Sequence, residues 1–307
     1  MKVLIFLIQN ILYINKEKSI ILIKQGNNNM NKLFVLPTLI AGLLLSSCSV
    51  IQVSSMSREE ESSSSITPTS REKEKLISDL KENEYNLVPG NFVEKMNSFT
   101  TYKAVTEGET KATVLFITVP QKINVTVIKN EYSYLYNSSE SSMYSSEHHA
   151  YYHDNKAVYK DKNDNDYNTS VLADYLNKYG TYPFNNSIEG YKISGDAINE
   201  VTKLDMDGDN YRFKIAFDKE KATTNVRIQM KEFGALIDYP DFLTDIQVTL
   251  TLKNDYTPIK LELESRYKAA QSMGTASCHQ QYTVTYSSFN ENIEVPNLDT
   301  IKPHFDK

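Results

Sequence analysis

Residues 246–264 read IQVTLTLKNDYTPIKLELE, and this stretch decides the fold class. Apolar residues occupy every second position on both sides of a polar turn at Asn254–Pro258. A period of two is typical of a β-strand with one buried face, so the stretch predicts two antiparallel strands. The apolar positions are Ile246, Val248, Leu250 and Leu252 before the turn, and Ile259, Leu261 and Leu263 after it.

The same alternation extends outward in both directions. It covers 123–129, 132–136 and 282–286, while 113–119 is a continuous β-rich run closed by Pro120. Two-residue turn signals stand at Asp154-Asn155 and Asp207-Gly208. Helical spacing predicts helices over Ser70–Lys81, Val171–Tyr179 and Thr223–Phe233, and a further short one whose face is Phe92, Met96 and Phe99, set off by Pro89-Gly90. About ten sequential strands broken by a few helices predict an α+β fold.

The order of these elements from Ser98 to Asn297 resembles the LolA/LolB-like lipoprotein carrier superfamily, including its Gram-positive relatives. The segments that carry the resemblance are Val248–Leu252 with the Asp255–Pro258 turn, Ile259–Tyr267, Tyr282–Tyr286, Phe289-Asn290 and Asn292–Pro296. The resemblance implies a strongly curved antiparallel β-sheet, a half-open barrel, with helices covering a hydrophobic cavity that holds acyl chains. No residue maps individually onto a ligand contact of the family, so only the architecture carries over.

A curved sheet leaves a concave face lined by its inward residues, and this predicts a candidate cavity. Its lining would come from Leu115, Ile117, Val125, Val127, Val248, Leu250, Leu261, Leu263 and Val284. The alternative is that the same residues fill a dry core, which the sequence does not distinguish from a lined cavity.

The segment MNKLFVLPTLIAGLLLSSC, residues 30–48, has the layout of a secretory signal. Lys32 precedes a thirteen-residue apolar run, which is short of the about 20 residues that span a bilayer. Leu45-Ser46-Ser47-Cys48 resembles the lipobox of bacterial lipoproteins, which implies a diacylglycerol thioether on Cys48 and cleavage before it. We therefore expect a palmitate-type acyl anchor that holds the protein on the extracytoplasmic face of the cell membrane.

The chain divides into four parts on this interpretation. Residues 1–29 are predicted to be a mis-annotated extension upstream of a start at Met30; the alternative is a genuine membrane segment at Val3–Ile23, interrupted by polar residues. Residues 30–47 form the signal peptide. Residues 48–70 form the lipidated cysteine and a flexible tether that has eight serines among positions 54–70. Residues 71–307 form one LolA-like globular domain.

Charge and cysteine content narrow the possible partners. Residues 1–47 hold five of the 33 basic and one of the 39 acidic residues, so residues 48–307 carry a net charge of −10. That acidic balance argues against nucleic-acid binding. Cys48 and Cys278 are the two cysteines, so a lipidated Cys48 leaves no disulfide. We expect a monomer whose partners are the membrane, through the acyl anchor, and a lipid or other apolar ligand.

Enzyme signatures are absent from the sequence: it has no G-x-S-x-G, P-loop, G-x-G-x-x-G, H-E-x-x-H or C-x-x-C motif. We therefore expect a non-enzymatic protein without a cofactor. Cys278 and His279 adjoin, but neighbours in a strand point to opposite faces and would not pair as nucleophile and base. A hydrolase whose active site has no recognised motif is one alternative function.

Two further clusters have both a binding and a structural interpretation. The first cluster is a weak candidate for a transition-metal site and consists of His148, His149 and His153. The alternative is that these histidines lie in a solvated, serine-rich loop. Eight of the 21 tyrosines fall between Tyr132 and Tyr167, where they could contact a ligand or simply occupy strands. The rival function is accordingly a surface interaction or adhesion module with a filled core and a tyrosine-rich binding face.

Overall fold

The computed structural model describes residues 75–114, 116–142, 145–179, 197–232, 241–271 and 274–306. The strands in these ranges are β1 (Tyr102–Val114), β2 (Ile117–Lys129), β3 (Ser133–Ser141), β4 (Ser145–His153), β5 (Lys156–Asp161), β6 (Asn168–Val171), β7 (Ile198–Asp207), β8 (Asn210–Phe217), β9 (Asp241–Phe242), β10 (Ile246–Leu252), β11 (Pro258–Gln271) and β12 (Gly274–Ser287). The helices are α1 (Val88–Ser98), α2 (Leu172–Tyr179), α3 (Lys219–Glu232) and α4 (Leu298–Phe305). Two 3-10 helices, Ile77–Asp79 and Glu82–Leu87, precede α1.

One antiparallel sheet contains all of these strands. Its order is β6-β5-β4-β3-β2-β1-β12-β11-β10-β8-β7, with β9 paired to β11, and β6 and β7 are the free ends. Eleven residue pairs, from Lys103↔Ser287 to Thr113↔Ser277, join β1 to β12 at the centre. The sheet is therefore open and not closed, as the predicted half-open, strongly curved α+β architecture requires. That prediction of the fold class is confirmed.

The two faces of the sheet are covered by different helices. We call inner the face that carries the largest apolar cluster, in which Val88, Phe92, Val93 and Met96 of α1 and Ala222 of α3 pack against the central strands. Helix α2 covers the same face beside β4 and β5. On the outer face, Ile301 and Phe305 of α4 pack against β3–β5. None of the helices in the described ranges has the length and apolar character needed to cross a membrane.

The helix predicted over Ser70–Lys81 is wrong within the described residues, where a 3-10 helix spans only Ile77–Asp79. The backbone N–H of Ile77 donates to the Asn254 carbonyl at 2.9 Å, and that of Ser78 donates to Asn254 Oδ1 at 2.8 Å. Because the turn after β10 uses these N–H groups, they are not available for an α-helical ladder. Residues 70–74 lie outside the described ranges.

The predicted break at Pro89-Gly90 is also wrong, because α1 begins at Val88 and contains both residues. Proline is tolerated in the first turn of a helix, where its missing N–H has no intrahelical partner. The face predicted for this helix is confirmed, since Phe92, Met96 and the following Phe99 are all buried.

Turn chemistry was more predictable than helix boundaries. Asp154 and Asn155 join β4 to β5 with φ of 45° and 62°, the left-handed pair that a two-residue hairpin turn needs. The turn between β7 and β8 lies one residue later than the predicted Asp207-Gly208. Asp207 pairs with Asn210, so the turn residues are Gly208 and Asp209.

Gly108 allows the closest contact between β1 and β12. It pairs directly with Tyr282, and a Cβ at position 108 would lie 1.9 Å from Tyr282 Cδ1 and 2.5 Å from the Gln281 carbonyl oxygen. The aromatic ring therefore lies over the glycine backbone. This placement also brings the Tyr282 hydroxyl within 2.6 Å of Thr110 Oγ1.

We predict that Gly108→Ala lowers the free energy of unfolding by about 1–3 kcal/mol, because the added methyl displaces Tyr282 from a packed position. Urea denaturation measures the effect. Gly208→Asn is the matched control: position 208 has φ +59° with no heavy atom near its Cβ, and asparagine tolerates that conformation. Equal stability of Gly108→Ala and the wild-type protein would contradict the prediction.

Candidate functional site

The inner face brings most of the predicted cavity-lining residues together. Six of them are buried in one cluster with α1. Aromatic contacts also join the helix to the sheet, as between Phe92 and Tyr286, whose ring centroids are 6.4 Å apart. These six are Val125, Val248, Leu250, Leu261, Leu263 and Val284. Within the described residues they therefore form a continuous apolar surface, which either packs as a core or lines a ligand site.

The other three predicted lining residues differ. Val127 is half-buried against the same cluster. Ile117 is 52% exposed beside Phe116, which is 99% exposed, because both lie where β1 turns into β2 at the tip of a long hairpin. Ile117 therefore does not line the inner face as predicted. Leu115 lies outside the described residues.

A row of polar side chains crosses the same face. Gln121, Thr110, Gln280 and Ser265 are direct partners across β2, β1, β12 and β11. Thr110, Gln280 and Ser265 are buried, with exposed fractions of 3%, 0% and 1%. Gln121 Nε2 donates to Ser139 Oγ. This row was not predicted from the sequence. Gln280 alternates with Tyr282 and Val284, however, and that spacing places its amide on the buried side.

Hydrogen bonds pair only part of this row. The Tyr282 hydroxyl lies 2.6 Å from Thr110 Oγ1, and it donates to Gln280 Oε1 over a longer 3.5 Å. Among the described residues, Gln280 Nε2 and Ser265 Oγ have no hydrogen-bond partner. A buried polar atom without a partner carries a desolvation penalty of about 1–3 kcal/mol, so the middle of the inner face is chemically incomplete.

At the β4–β5 end of the inner face, a hydrogen-bonded chain runs through His148. Its Nδ1 lies 2.7 Å from Asp161 Oδ1 and its Nε2 lies 2.8 Å from the Tyr175 hydroxyl of α2. Tyr152 donates to Tyr175 at 3.0 Å, and Tyr179 donates to Asp161 Oδ2 at 2.7 Å. With the His148 proton on Nδ1 donated to Asp161 and Nε2 accepting from Tyr175, every member of this chain is paired, so the chain fastens α2 to the sheet.

Ionisation follows from these contacts. Burial raises the pKa of the Asp161 carboxyl, but the hydrogen bonds from His148 and Tyr179 outweigh burial and hold that pKa below its ordinary value. Burial raises the pKa of the Tyr175 hydroxyl, and burial together with the bond to Asp161 raises that of Tyr179. Both phenols therefore stay protonated and act as donors at neutral pH.

A second tyrosine–histidine–carboxylate chain lies on the outer face. The Tyr134 hydroxyl is 2.9 Å from His149 Nδ1, and His149 Nε2 is 2.8 Å from Glu147 Oε1. His153 stacks on Tyr132 with 3.9 Å between ring centroids, also near α4. His149 thus links β3 to β4, whereas His153 packs between the sheet and α4.

The interpretation of His148, His149 and His153 as a metal site is wrong, and so is the alternative of a solvated loop. All three belong to β4, where neighbouring side chains point to opposite faces, so His148 is separated from His149 by the sheet. In the described ranges no group of three or more histidine, cysteine or acidic side chains could hold a metal ion.

The tyrosine-rich region is mostly structural. Tyr134, Tyr151, Tyr152 and Tyr159 are buried, while Tyr144 lies outside the described residues. Tyr132, Tyr136 and Tyr167 are partly buried against the outer cluster. These seven side chains pack against α2 and α4, which leaves them little surface for an external partner.

Cys278 and His279 occupy opposite faces, as predicted. The Cys278 thiol is a free thiol on the inner face, and burial raises its pKa to about 11, so it is protonated at neutral pH. His279 lies on the outer face with Nε2 2.8 Å from Glu264 Oε1. A neutral, buried thiol separated from the imidazole by the sheet is not an activated nucleophile.

A cleft of about 450 Å³ opens beside the β4–β5 turn. Its lining is mainly polar and includes Glu131, His153, Asp154 and Lys156. It does not match the apolar cavity that the sequence predicts, and the inner face is the better candidate site.

Comparison with known proteins gives matches among solved structures alone. No family model and no curated protein matches the chain. The structure is similar to LprF from Mycobacterium bovis, with a TM-score of 0.37 and 10% identity over 70% of this chain and 97% of that one. It is similar to a LolA superfamily protein from Nitrosomonas europaea, with a TM-score of 0.25 and 12% identity over 69% and 96%.

A third similar structure is a putative outer membrane lipoprotein-sorting protein domain from Vibrio parahaemolyticus, with a TM-score of 0.25 and 6% identity over 72% and 98%. The superfamily that the sequence resembles is thus among the structural matches. At these identities and TM-scores the similarity concerns the fold and carries no argument about function, which has to rest on the chain's own geometry.

We predict that Asp161→Asn lowers the free energy of unfolding at pH 7 by about 1 kcal/mol, since a charge-assisted acceptor is lost from a carboxyl that is 42% exposed. The folded pKa of Asp161 is depressed, so its contribution is present above the unfolded pKa and disappears as pH falls through the folded one. Urea denaturation at pH 7 and about pH 3 should therefore show a smaller difference at the lower pH.

The matched control is Glu147→Gln, which changes the outer chain, where the carboxylate accepts from His149 alone. We expect it to lose less stability at pH 7 than Asp161→Asn, because Asp161 accepts two hydrogen bonds and the asparagine amide can accept only one of them. A loss in Asp161→Asn that is the same at both pH values would contradict the assigned role.

Proposed function

We propose that this protein is a non-enzymatic lipoprotein of the bacterial envelope that binds a lipid or other apolar ligand on the inner face of its sheet. The observation that carries the proposal is the continuous apolar surface of β8, β10, β11, β12, β1 and β2. An open sheet with covering helices can admit an apolar ligand between the two layers without breaking a strand ladder.

The binding would work by sequestration. Apolar surface removed from water stabilises a complex by about 25 cal/mol per Å², so an acyl chain laid on this face needs no bond making and no cofactor. Uncharged side chains at the inner positions of the central strands suit such a ligand. The acidic net charge of residues 48–307 disfavours binding to anionic polymers or to an anionic lipid surface.

The proposed location follows from the leader and not from the folded part. Translation would start at Met30, and cleavage before Cys48 would leave a diacylglycerol thioether on that residue. Two or three acyl chains hold a protein stably on a membrane, whereas one chain does so only marginally. The tether at residues 49–70 would then keep the folded domain, as a monomer, next to the extracytoplasmic face of the membrane.

A second candidate is an interaction module whose inner face is a filled core. The burial of all six central lining residues by the protein itself favours it. The two candidates differ in one physical property, which is whether an acyl chain can reach the inner face.

The chain contains no tryptophan, so a single introduced tryptophan reports on one location. Leu263→Trp places it on the inner face, and Glu262→Trp, the neighbouring position, places it on the outer face. We predict that an acyl lipid brominated in its chain, added to soluble residues 49–307, quenches the fluorescence of the Leu263→Trp variant strongly and that of the Glu262→Trp variant weakly.

Circular dichroism confirms the fold of both variants before titration. Equal quenching in the two variants, or none in either, would remove the lipid-binding proposal and leave the filled core. In that case Leu263→Trp should also destabilise the protein by about 1–3 kcal/mol, because an enlarged side chain strains a packed core.

The two cysteines provide a matched pair for testing the anchor. We predict that Cys48→Ala abolishes incorporation of radiolabelled palmitate in cells and releases the protein from the membrane fraction. Cys278→Ala should leave labelling intact, because that thiol is buried in the sheet. Labelling that survives Cys48→Ala would contradict the proposed lipidation site.

A further inference from the structure

We propose that Gln280 and Ser265 bind the carbonyl oxygen of a neutral acyl ester or amide, so that the ligand is an acyl lipid held by its polar group and not a plain hydrocarbon. This inference rests on the proposed apolar-ligand function and specifies the ligand class. Its basis is the polar row across β2, β1, β12 and β11, in which Gln280 Nε2 and Ser265 Oγ are buried and find no partner in the part of the chain that the structure describes.

Direction and distance favour one shared acceptor. Gln280 and Ser265 are direct partners in the β11–β12 ladder, so their side chains leave the same face of the sheet side by side. Cβ atoms of such partners lie about 4.5–5.5 Å apart, which allows one oxygen to accept from both. The amide N–H and the serine O–H are donors, and a carbonyl oxygen has the two lone pairs needed to receive them.

Complete burial and one long hydrogen bond orient the Gln280 amide. Its Oε1 accepts from Tyr282, whose hydroxyl also contacts Thr110 at 2.6 Å. The Tyr282 ring is fixed in turn by its contact with Gly108. The donor atom of the amide is therefore presented by a positioned side chain, and little rotamer freedom is lost when a ligand binds.

The charge of the surroundings selects a neutral group. On each of β2, β1, β12 and β11, the two nearest inner-face residues before the row and the two nearest after it are all uncharged. A carboxylate or phosphate placed there would be desolvated without a counter-charge, which is unfavourable. A neutral ester or amide carbonyl requires only the two hydrogen bonds that the row leaves open.

The test compares two ligands that differ only in the carbonyl: monodecanoylglycerol, an ester, and monodecylglycerol, its ether analogue. Titration calorimetry on residues 49–307 should show about tenfold tighter binding of the ester, as expected for one or two net hydrogen bonds. In Gln280→Met, which preserves side-chain volume, the preference should fall about threefold, because Ser265 still donates to the carbonyl, while the affinity for the ether stays unchanged. Ser265→Ala should reduce the preference about threefold.

Several outcomes would overturn the inference. An undiminished ester preference in Gln280→Met, or equal affinities in the wild-type protein, would remove the carbonyl contact while leaving apolar binding intact. Binding of neither ligand would remove the proposed function as well. Urea denaturation without ligand is the second measurement: Gln280→Met should be at least as stable as wild type, and a large loss of stability would instead make the amide a structural group.

Discussion

The pairing of β1 with β12 is the constraint on which the rest of the structure depends. It joins the strands from β1 to β6 to those from β7 to β12, and without it the sheet would separate into two halves. The contacts are long-range: Thr110 and Tyr282, whose hydroxyls lie 2.6 Å apart, are 172 residues apart in the chain. Gly108 permits this approach because any side chain there would occupy the space of the Tyr282 ring. The inner face is continuous across the junction, so the apolar surface and the polar row both draw residues from each half.

The sequence predicted most reliably those elements whose stability comes from one buried face. Residues 246–264 alternate because β10 and β11 are covered on the inner side, and the structure pairs Leu250 with Leu261 and Val248 with Leu263 as that pattern requires. Local turn chemistry was equally informative, since Asp154 and Asn155 adopt positive φ at the β4–β5 turn. Elements that depend on distant partners were not predictable. The N–H groups of Ile77 and Ser78 bond to Asn254, which no local periodicity encodes.

Strand β4 illustrates the same limit at the candidate site. Its sequence, SSEHHAYYH, lacks a run of alternating apolar residues because both of its faces are covered by helices. Inner positions meet α2 and outer positions meet α4, so polar aromatic residues are acceptable on each side when their hydrogen bonds are satisfied. Adjacent histidines in sequence suggest a shared ligand, but in a strand they belong to separate environments. His148 and His149 accordingly form separate chains, each with a tyrosine and a carboxylate.

The inner face contains three zones that differ in how their polar atoms are satisfied. Beside α1 the inner face is mainly apolar, and beside α2 the His148 chain pairs each of its own members. Between them, the row at Gln280 and Ser265 leaves two buried polar atoms without partners. The native state would be more stable with apolar side chains at these two positions. An unpaired buried amide destabilises it, whereas a methionine of similar volume would not. An occupant that supplies the missing acceptor resolves this conflict, since the same two atoms that weaken the empty protein then contribute to binding.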